Sequence, residues 1–285
     1  MSRYSKPMSS SSVNEVKFAV IVVAYTSDEG LSRAVESLLC QDIGRDQLEI
    51  CVVENRSHPE SKRRYKNRVD AWLEPGVNLG ASAGRNLGVE NTTSPILAFI
   101  EDDGVVDPSF FTSMKRLLLK RPDAIVVRGR IFALKYPMIS MLSRAYDLGN
   151  EVRECMLDIE GATCIRRTDY VACGGYNADI FHGEGIELQE RLLEQRPDGV
   201  ILYNPEAVLR HDFAAGLWDL WEKGCRIAKA DKRPLNLFPL AEERWQRLRK
   251  QYPVKRPSLT VRLYKAPVEI VLRLSIYIHR YRAKG

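Results

Sequence analysis

The chain has 285 residues, of which 45% are hydrophobic and 28% are charged. This is the composition of an ordinary globular protein, and it excludes disordered, collagen-like and disulfide-scaffold classes. The net charge is +6 but unevenly placed, because residues 231–285 contain 14 Lys or Arg against 4 Asp or Glu. A basic C-terminal segment indicates an anionic partner for that segment.

Residues 1–16 are rich in serine and lack hydrophobic periodicity, which predicts a flexible lead-in. They contain no apolar stretch of the signal-peptide type, and no run of about 18 apolar residues predicts a membrane-spanning helix. The six cysteines form no CxxC pair, which predicts reduced thiols. We therefore expect a cytoplasmic protein.

From Phe18 onward, short apolar runs alternate with amphipathic segments. The predicted strands of this half are 18–24, 48–53, 71–73, 96–100 and 124–127. The predicted helices are one that Ser27 or Asp28 caps and that runs through Leu39, a polar helix or loop over 57–67, and helices over 80–89 and 108–119. Strands that alternate with helices at this spacing predict an open α/β sheet with right-handed crossovers.

After Arg130 the alternation breaks down. The remaining predicted elements are strands over 160–165 and 199–203, helices over 184–194 and 216–229, and one amphipathic helix over 258–282. We predict three parts of the chain: a flexible N-terminal segment over 1–16, an α/β domain over 17–230, and a basic amphipathic helical extension over 231–285.

Three adjacent acids, Glu101, Asp102 and Asp103, directly follow the buried apolar run 96–100. Ligands in open α/β sheets bind at the carboxyl ends of strands. Carboxylates that are packed together repel one another unless a hard cation neutralises them, and oxygen ligands suit Mg²⁺ or Mn²⁺. The triplet thus indicates a metal site, with a solvated acidic turn as the alternative.

Four segments in chain order resemble family 2 glycosyltransferases, and the resemblance covers about residues 18–230. They are Ala24-Tyr25-Thr26 after the first strand, 52–57 at the end of the second, the glycine-rich segment 78–88, and the triplet 101–103. The glycine-rich segment fits neither GxGxxG nor a GxxxxGK[ST] phosphate loop. The resemblance implies the GT-A nucleotide-diphospho-sugar transferase fold: a mostly parallel open sheet flanked by helices, here with a C-terminal helical extension.

The same resemblance implies roles for individual residues. Asp103 would bind the Mn²⁺ or Mg²⁺ that bridges the donor diphosphate, together with His211, and Glu101 would reach the ribose or the metal. Glu54 would hydrogen-bond the base. Arg85 would contact the diphosphate near a helix N-terminus, unless it is merely an exposed helix charge. The residues expected to bind the nucleotide sugar are Ala24, Tyr25, Thr26, Glu54, Asn55, Asn78, Gly80, Arg85, Asn86, Glu101 and Asp102.

Residues 181–191 resemble the family's G-E-D-x-D/E-L-x-x-R motif, which begins a helix beneath the reaction centre. In inverting members the Asp after the first Glu is the general base, but this chain has Gly185 there, which cannot accept a proton. We therefore expect Glu184 to be the base, with Glu187 and Asp179 as alternatives, and the inverting or retaining outcome stays open. The structural alternative is a helix N-terminus enriched in acids.

The resemblance implies an enzyme that moves a sugar from a nucleoside-diphosphate donor to a hydroxyl acceptor, either a glycan or a lipid-linked or cell-envelope polysaccharide precursor. The alternative is an inactive relative that binds nucleotide sugar or membrane. Nucleic acid is not an expected partner, because the basic tail interleaves its charges with aliphatic residues. The helix over 258–282 predicts either docking on the domain or peripheral attachment to an anionic membrane surface on the inner face.

Overall fold

The structure is a computed structural model that describes residues 16–136, 147–180, 183–229, 238–253, 266, 270–271 and 273–278. Its strands are β1 (Phe18–Ala24), β2 (Leu48–Glu54), β3 (Ala71–Leu73), β4 (Ile96–Ile100), β5 (Val105–Val106), β6 (Ala124–Phe132), β7 (Arg153–Glu154), β8 (Ala162–Arg166) and β9 (Val200–Arg210). Its helices are α1 (Asp28–Leu39), α2 (Pro59–Tyr65), α3 (Gly80–Glu90), α4 (Phe110–Lys120), α5 (Arg167–Ala172), α6 (Glu184–Gln195), α7 (Leu217–Lys229) and α8 (Pro239–Gln251).

The strands form one mixed sheet in the order β3-β2-β1-β4-β8-β6-β9-β5, and β7 also pairs with β9. Strands β1 to β4 are mutually parallel. Strand β8 is antiparallel to both β4 and β6, and β6 is parallel to β9. Strands β5 and β7 are antiparallel to β9. Among the described strands, six run in one direction, and β5, β7 and β8 run in the opposite direction. The prediction of a mostly parallel sheet flanked by helices is confirmed.

Strand β1 is an interior strand between β2 and β4, and it is apolar throughout because helices cover both faces of the sheet. Successive side chains point to opposite faces. Val20 therefore packs in one core with Leu31 of α1, while Ile21 packs in the other core with Val89 at the end of α3. Ser27 begins α1, since its hydroxyl accepts a hydrogen bond from the Gly30 N–H at 3.0 Å.

Strands β6 and β9 extend well past the predicted 124–127 and 199–203. The added residues include polar side chains. These interrupt the apolar run in the sequence, but the strand continues through them. Arg128 is the clearest case: it is fully buried, forms an ion pair with Asp158, and its guanidinium carbon lies 5.7 Å from the centre of the Tyr203 ring.

Helix α8 lies inside the predicted extension and was not expected from the sequence. It packs on α6, where the Glu190 carboxylate accepts hydrogen bonds from the N–H groups of Leu240 and Ala241. Arg244 of α8 donates to the carbonyl oxygens of Cys155 and Ile201. Ala241 and Leu248 also pack with Met156 in a small apolar cluster, so apolar and polar contacts together hold this helix.

Only part of the predicted tail helix over 258–282 falls within the described residues, and residues 266, 270–271 and 273–278 are helical. The remainder of that prediction, like residues 1–15 of the predicted lead-in, lies outside them. Among the described helices, none is both long and apolar enough to cross a bilayer.

Candidate functional site at the carboxyl edge of the sheet

The predicted site residues converge on one edge of the sheet. The carboxyl ends of β1, β2, β4 and β9 point to this edge, because these strands share one direction. Strand β8 runs the other way and begins there, with Ala162 opposite Ile100. As a result the segment before β8 lies beside the acidic triplet, and the Glu101 N–H donates to the Gly161 carbonyl at 3.2 Å.

The two residues predicted to bind metal are in direct contact. Asp103 Oδ1 lies 3.0 Å from His211 Nε2, and the His211 N–H donates to the Phe132 carbonyl at 2.8 Å. Burial opposes both charges and is the largest single effect on each. The Asp103–His211 hydrogen bond and the attraction between the two charges together outweigh it, so the pKa of Asp103 is lowered and that of His211 is raised.

A carboxylate and an imidazole are chemically suitable donors for Mn²⁺, and the carboxylate for Mg²⁺ as well. Among the described residues no cluster of three or more His, Cys, Asp or Glu side chains could hold a metal. The pair of Asp103 and His211 thus fits an ion that takes its other ligands from a diphosphate and water.

Asp102 faces away from that pair and into the protein. Its side chain is buried, and its Oδ2 accepts hydrogen bonds from the N–H groups of Tyr25 and Thr26, each at 2.6 Å. Burial raises the pKa of Asp102 despite these hydrogen bonds. The carboxylate therefore holds the turn after β1, where the Tyr25 side chain is 47% exposed.

Glu54 and Asn55 at the end of β2 are also engaged within the protein. The two oxygens of Glu54 accept hydrogen bonds from the His58 N–H at 2.5 Å and from Trp72 Nε1 at 3.0 Å. Asn55 Nδ2 donates to the Gly80 carbonyl at 2.9 Å. The structure thus gives Glu54 internal partners, and its predicted contact with the nucleotide base stays a prediction.

The start of α3 approaches this edge through a tight turn. Gly80 has a φ of +78°, in the left-handed region that favours glycine, and its N–H donates to Asn78 Oδ1 at 2.9 Å. Asn86, one and a half turns later, donates to the Tyr176 carbonyl at 2.8 Å and accepts from the Tyr170 hydroxyl at 2.5 Å. Asn86 therefore ties α3 to the segment that precedes α6.

Arg85 is buried in the site, so the alternative of an exposed helix charge is wrong. Its guanidinium carbon lies 5.2 Å from the centre of the Tyr176 ring, and Nη2 lies 4.0 Å from Glu101 Oε1. Burial works against the cation. The pKa of Arg85 is nevertheless raised, because Tyr176 and three surrounding carboxylates favour the charged form, namely Glu160, Glu101 and Glu184.

The three predicted catalytic acids occupy different environments. Glu187 forms a two-point ion pair with Arg191 at 2.8 and 2.5 Å, and Arg191 also donates to two carbonyls of the preceding loop. Asp179 is exposed, whereas Glu184, the first residue of α6, is partly buried. Of the three, Glu184 is the one whose charge acts on Arg85.

Glu160 belongs to this site but was not among the predicted residues. Its Oε1 accepts a hydrogen bond from the Gly185 N–H at 2.7 Å. Burial raises the pKa of Glu160 to about 7, and Glu184 and Glu101 add to the rise while Arg85 opposes it. The segment that begins at Glu160 resembles the part of family 2 glycosyltransferases that shapes the acceptor pocket, although that resemblance gave Glu160 no role of its own. Gly185 is a second signal, because a small residue at a helix start can mark a close approach.

Lys223 of α7 was missed as well, and nothing in its sequence context pointed to it. Its ammonium group donates to the Phe213 carbonyl and lies 5.4 Å from the centre of the Phe213 ring. The positive charge of Lys223 also helps to lower the pKa of Asp103. It therefore adds cationic character to the edge that holds the Asp103–His211 pair.

Residues 19–144 match the family model described as Glycosyl transferase family 2. The glucosyl-dolichyl phosphate glucuronosyltransferase of Haloferax volcanii is 25% identical over 221 residues, which is 69% of this chain and 69% of the relative. The uncharacterized glycosyltransferase YibD of Escherichia coli is 29% identical over 108 residues, which is 36% of this chain and 31% of that protein.

Solved structures share the fold, and two of them are given as examples. The mannosyltransferase PcManGT from Pyrobaculum calidifontis, in complex with GDP-Man and Mn²⁺, superposes with a TM-score of 0.63 at 13% identity over 94% of this chain and 88% of that one. S. aureus TarS 1-349 in complex with UDP-GlcNAc gives 0.56 at 13% identity over 91% and 81%. The fold is thus that of the GT-A glycosyltransferases. The resemblance to family 2 is confirmed, and the protein is a glycosyltransferase enzyme.

Proposed function

We propose that this enzyme transfers a sugar from a nucleoside-diphosphate donor to a hydroxyl group of a glycan, lipid-linked or cell-envelope polysaccharide acceptor, in a reaction that requires Mn²⁺ or Mg²⁺. The observation that carries the proposal is the contact of Asp103 with His211 at 3.0 Å, at the edge where β1 and β4 end. When bound, the metal neutralises charge on the leaving diphosphate. Neighbours of the same fold with GDP-Man and Mn²⁺, or with UDP-GlcNAc, support such a donor.

In this proposal the donor diphosphate lies against Asp103 and His211. The turn Ala24-Tyr25-Thr26, which Asp102 holds in place, contacts the nucleoside. Arg85 is 9% exposed and its Nη2 lies 4.0 Å from Glu101 Oε1. Its proposed role remains a contact with the donor diphosphate. Glu184 remains the carboxylate that the sequence favours as base.

The test is a panel of UDP-, GDP- and dTDP-sugars incubated with the full chain in Mn²⁺, in Mg²⁺ and in EDTA. We expect release of nucleoside diphosphate from at least one donor with metal and none in EDTA. Binding of a donor by calorimetry without any turnover would instead support the inactive alternative. Neither binding nor release from any donor would contradict the proposal.

We further propose that the tail attaches the enzyme peripherally to an anionic membrane surface on the cytoplasmic side. Ile270, Leu274 and Tyr277 are 54%, 47% and 63% exposed, and their spacing puts them on one face of a helix. Val271 packs instead against the cluster of Ala214 and Leu220. The helix therefore meets the domain on one side and presents apolar side chains on another.

Charge favours a lipid surface as the occupant of that apolar face. The extension 231–285 has a balance of 14 basic against 4 acidic residues, although Arg244 and Arg247 of α8 already pair with Glu154. Basic residues beside an anionic bilayer contribute about 1 kcal/mol each. An interfacial helix combines this attraction with burial of its apolar side chains among the head groups.

The membrane proposal predicts that the full chain sediments with vesicles containing phosphatidylglycerol, and less so at high salt, because salt screens the charge term. A triple variant with Ile270→Glu, Leu274→Glu and Tyr277→Glu should lose most of this binding. Leu119→Glu in α4 is the matched control, because Leu119 is likewise 50% exposed. Equal sedimentation of the triple variant and the control would overturn the proposal.

A further inference from the structure

Transfer to a hydroxyl group requires a group that takes the hydroxyl proton, and several carboxylates at the sheet edge are already committed. Asp102 is bound by backbone N–H groups, and Asp103 contacts His211. Glu187 is held by Arg191. Asp179 is exposed. Three other carboxylates form a group around Arg85: Glu101, Glu160 and Glu184.

Within this group Glu160 has the best-defined position. One oxygen, Oε1, is fixed by the Gly185 N–H at 2.7 Å. The other oxygen accepts no hydrogen bond from any residue in the described ranges, and the side chain is partly open to solvent. Glu184 has no hydrogen bond to a described residue that would orient its carboxylate. An oriented carboxylate with one open oxygen is the arrangement that a general base needs.

The absence of a side chain at Gly185 creates the space that Glu160 uses. A Cβ at this position would lie 2.6 Å from Glu160 Oε1 and 2.5 Å from the Leu157 carbonyl oxygen. Both separations are too short for a stable contact, and the Leu157 oxygen belongs to the backbone. Any side chain at 185 would therefore displace Glu160 or the start of α6.

The charges around Glu160 have opposite effects on its pKa. Arg85 on α3 favours the carboxylate, whereas Glu184 on α6, Glu101 after β4 and burial favour the protonated form, so that the pKa rises to about 7. A general base works best when its pKa lies near the working pH. The geometry and the charge balance thus point to the same group.

We propose that Glu160 is the catalytic base of this enzyme and removes the proton from the acceptor hydroxyl. The inference rests on the proposed glycosyl transfer. The acceptor O–H bond breaks as its proton moves to the open oxygen of Glu160, and the acceptor oxygen bonds to the anomeric carbon of the donor. The bond from that carbon to the β-phosphate oxygen breaks, and the nucleoside diphosphate leaves with its electron pair. The protonated Glu160 then releases the proton to solvent.

The test compares Glu160→Gln with Glu184→Gln in the full chain, with water as the acceptor and the donor that the panel identifies. Glutamine keeps an oxygen that accepts the Gly185 N–H but cannot take a proton. We expect Glu160→Gln to lower kcat by a factor of ~10²–10⁴ with little change in donor KM. Glu184→Gln should lower kcat by a clearly smaller factor than Glu160→Gln does.

Two further measurements separate catalysis from folding. Calorimetric binding of UDP or GDP with Mn²⁺ and the melting temperature should be unchanged in Glu160→Gln. Glu160→Asp keeps a carboxylate on a shorter side chain, and it should retain more activity than Glu160→Gln. Equal losses in these two variants, or a greater loss in Glu184→Gln, would overturn the assignment.

The outcomes also distinguish this inference from the proposed function. A wild-type chain that releases no nucleoside diphosphate from any donor overturns both. A wild-type chain that turns over a donor while Glu160→Gln is equally active overturns only the role of Glu160. If Glu160→Gln no longer binds the nucleoside diphosphate, this would indicate that Glu160 positions α6. That result would likewise overturn its role as base.

Discussion

Replacing Asp103 with Asn is expected to lower metal-dependent release of nucleoside diphosphate by about 10³-fold or more. The change keeps the size of the side chain but removes the negative charge that would hold the metal beside His211. A divalent ion contributes several kcal/mol of charge stabilisation in the transition state, and each 1.36 kcal/mol is a factor of ten in rate. Loss of the ion therefore affects the chemical step directly.

The measurement pairs turnover with metal binding. In the wild-type chain, Mn²⁺ added with UDP or GDP should raise the melting temperature, because a ligand that binds only the folded state stabilises it. Asp103→Asn should lose that rise while folding normally. Asp123→Asn serves as the control, because Asp123 forms an ion pair with Arg121 just before β6, away from the described site. Wild-type activity in Asp103→Asn would remove Asp103 from the metal site.

Replacing Asp102 with Ala is expected to lower the free energy of unfolding by about 3 kcal/mol, even though Asp102 adjoins Asp103 in the same triplet. Its buried carboxylate accepts hydrogen bonds from the N–H groups of Tyr25 and Thr26. A hydrogen bond to a charged group is worth about 1.5–3 kcal/mol, and a buried donor left without a partner costs about 1–3 kcal/mol. The turn after β1 would lose its anchor on β4.

Urea unfolding of Asp102→Ala, Asp102→Asn and Asp103→Asn tests this prediction. Asp102→Asn keeps one side-chain oxygen as an acceptor and should lose less stability than Asp102→Ala. Asp103→Asn should lose less stability than Asp102→Ala, because the Asp103 side chain is 30% exposed and its contact with His211 is more open to solvent than the buried Asp102 carboxylate. A loss below about 1 kcal/mol in Asp102→Ala would show that the two hydrogen bonds contribute little net stability.

The interior strands β1 and β4 were predictable from the sequence because each is a continuous run of apolar residues. β1 (Phe18–Ala24) and β4 (Ile96–Ile100) have the predicted bounds, since a strand covered on both faces requires a continuous apolar run. The short edge strand β3 (Ala71–Leu73) also has its predicted bounds. The extended ends of β6 and β9 and the whole of α8 escaped prediction. Some of the buried side chains there are charged and bind partners distant in the chain, as Arg128 does with Asp158 and Arg244 with the Cys155 carbonyl. Hydrophobic periodicity does not reveal such residues.

For the site, too, some features were predictable from the sequence and others were not. The motifs in the sequence predicted the class of enzyme and a metal site formed by Asp103 and His211, because motifs that resemble those of a known family lie in the same order along this chain. What the motifs did not predict is the environment of Asp102. Asp103 contacts His211 as predicted, whereas the adjacent Asp102 accepts hydrogen bonds from the backbone of the turn after β1. The tertiary structure also brought Glu160 to the Gly185 N–H through the antiparallel entry of β8. A carboxylate's role depends on its burial and its partners, and these arise from strand pairings between segments far apart in the chain.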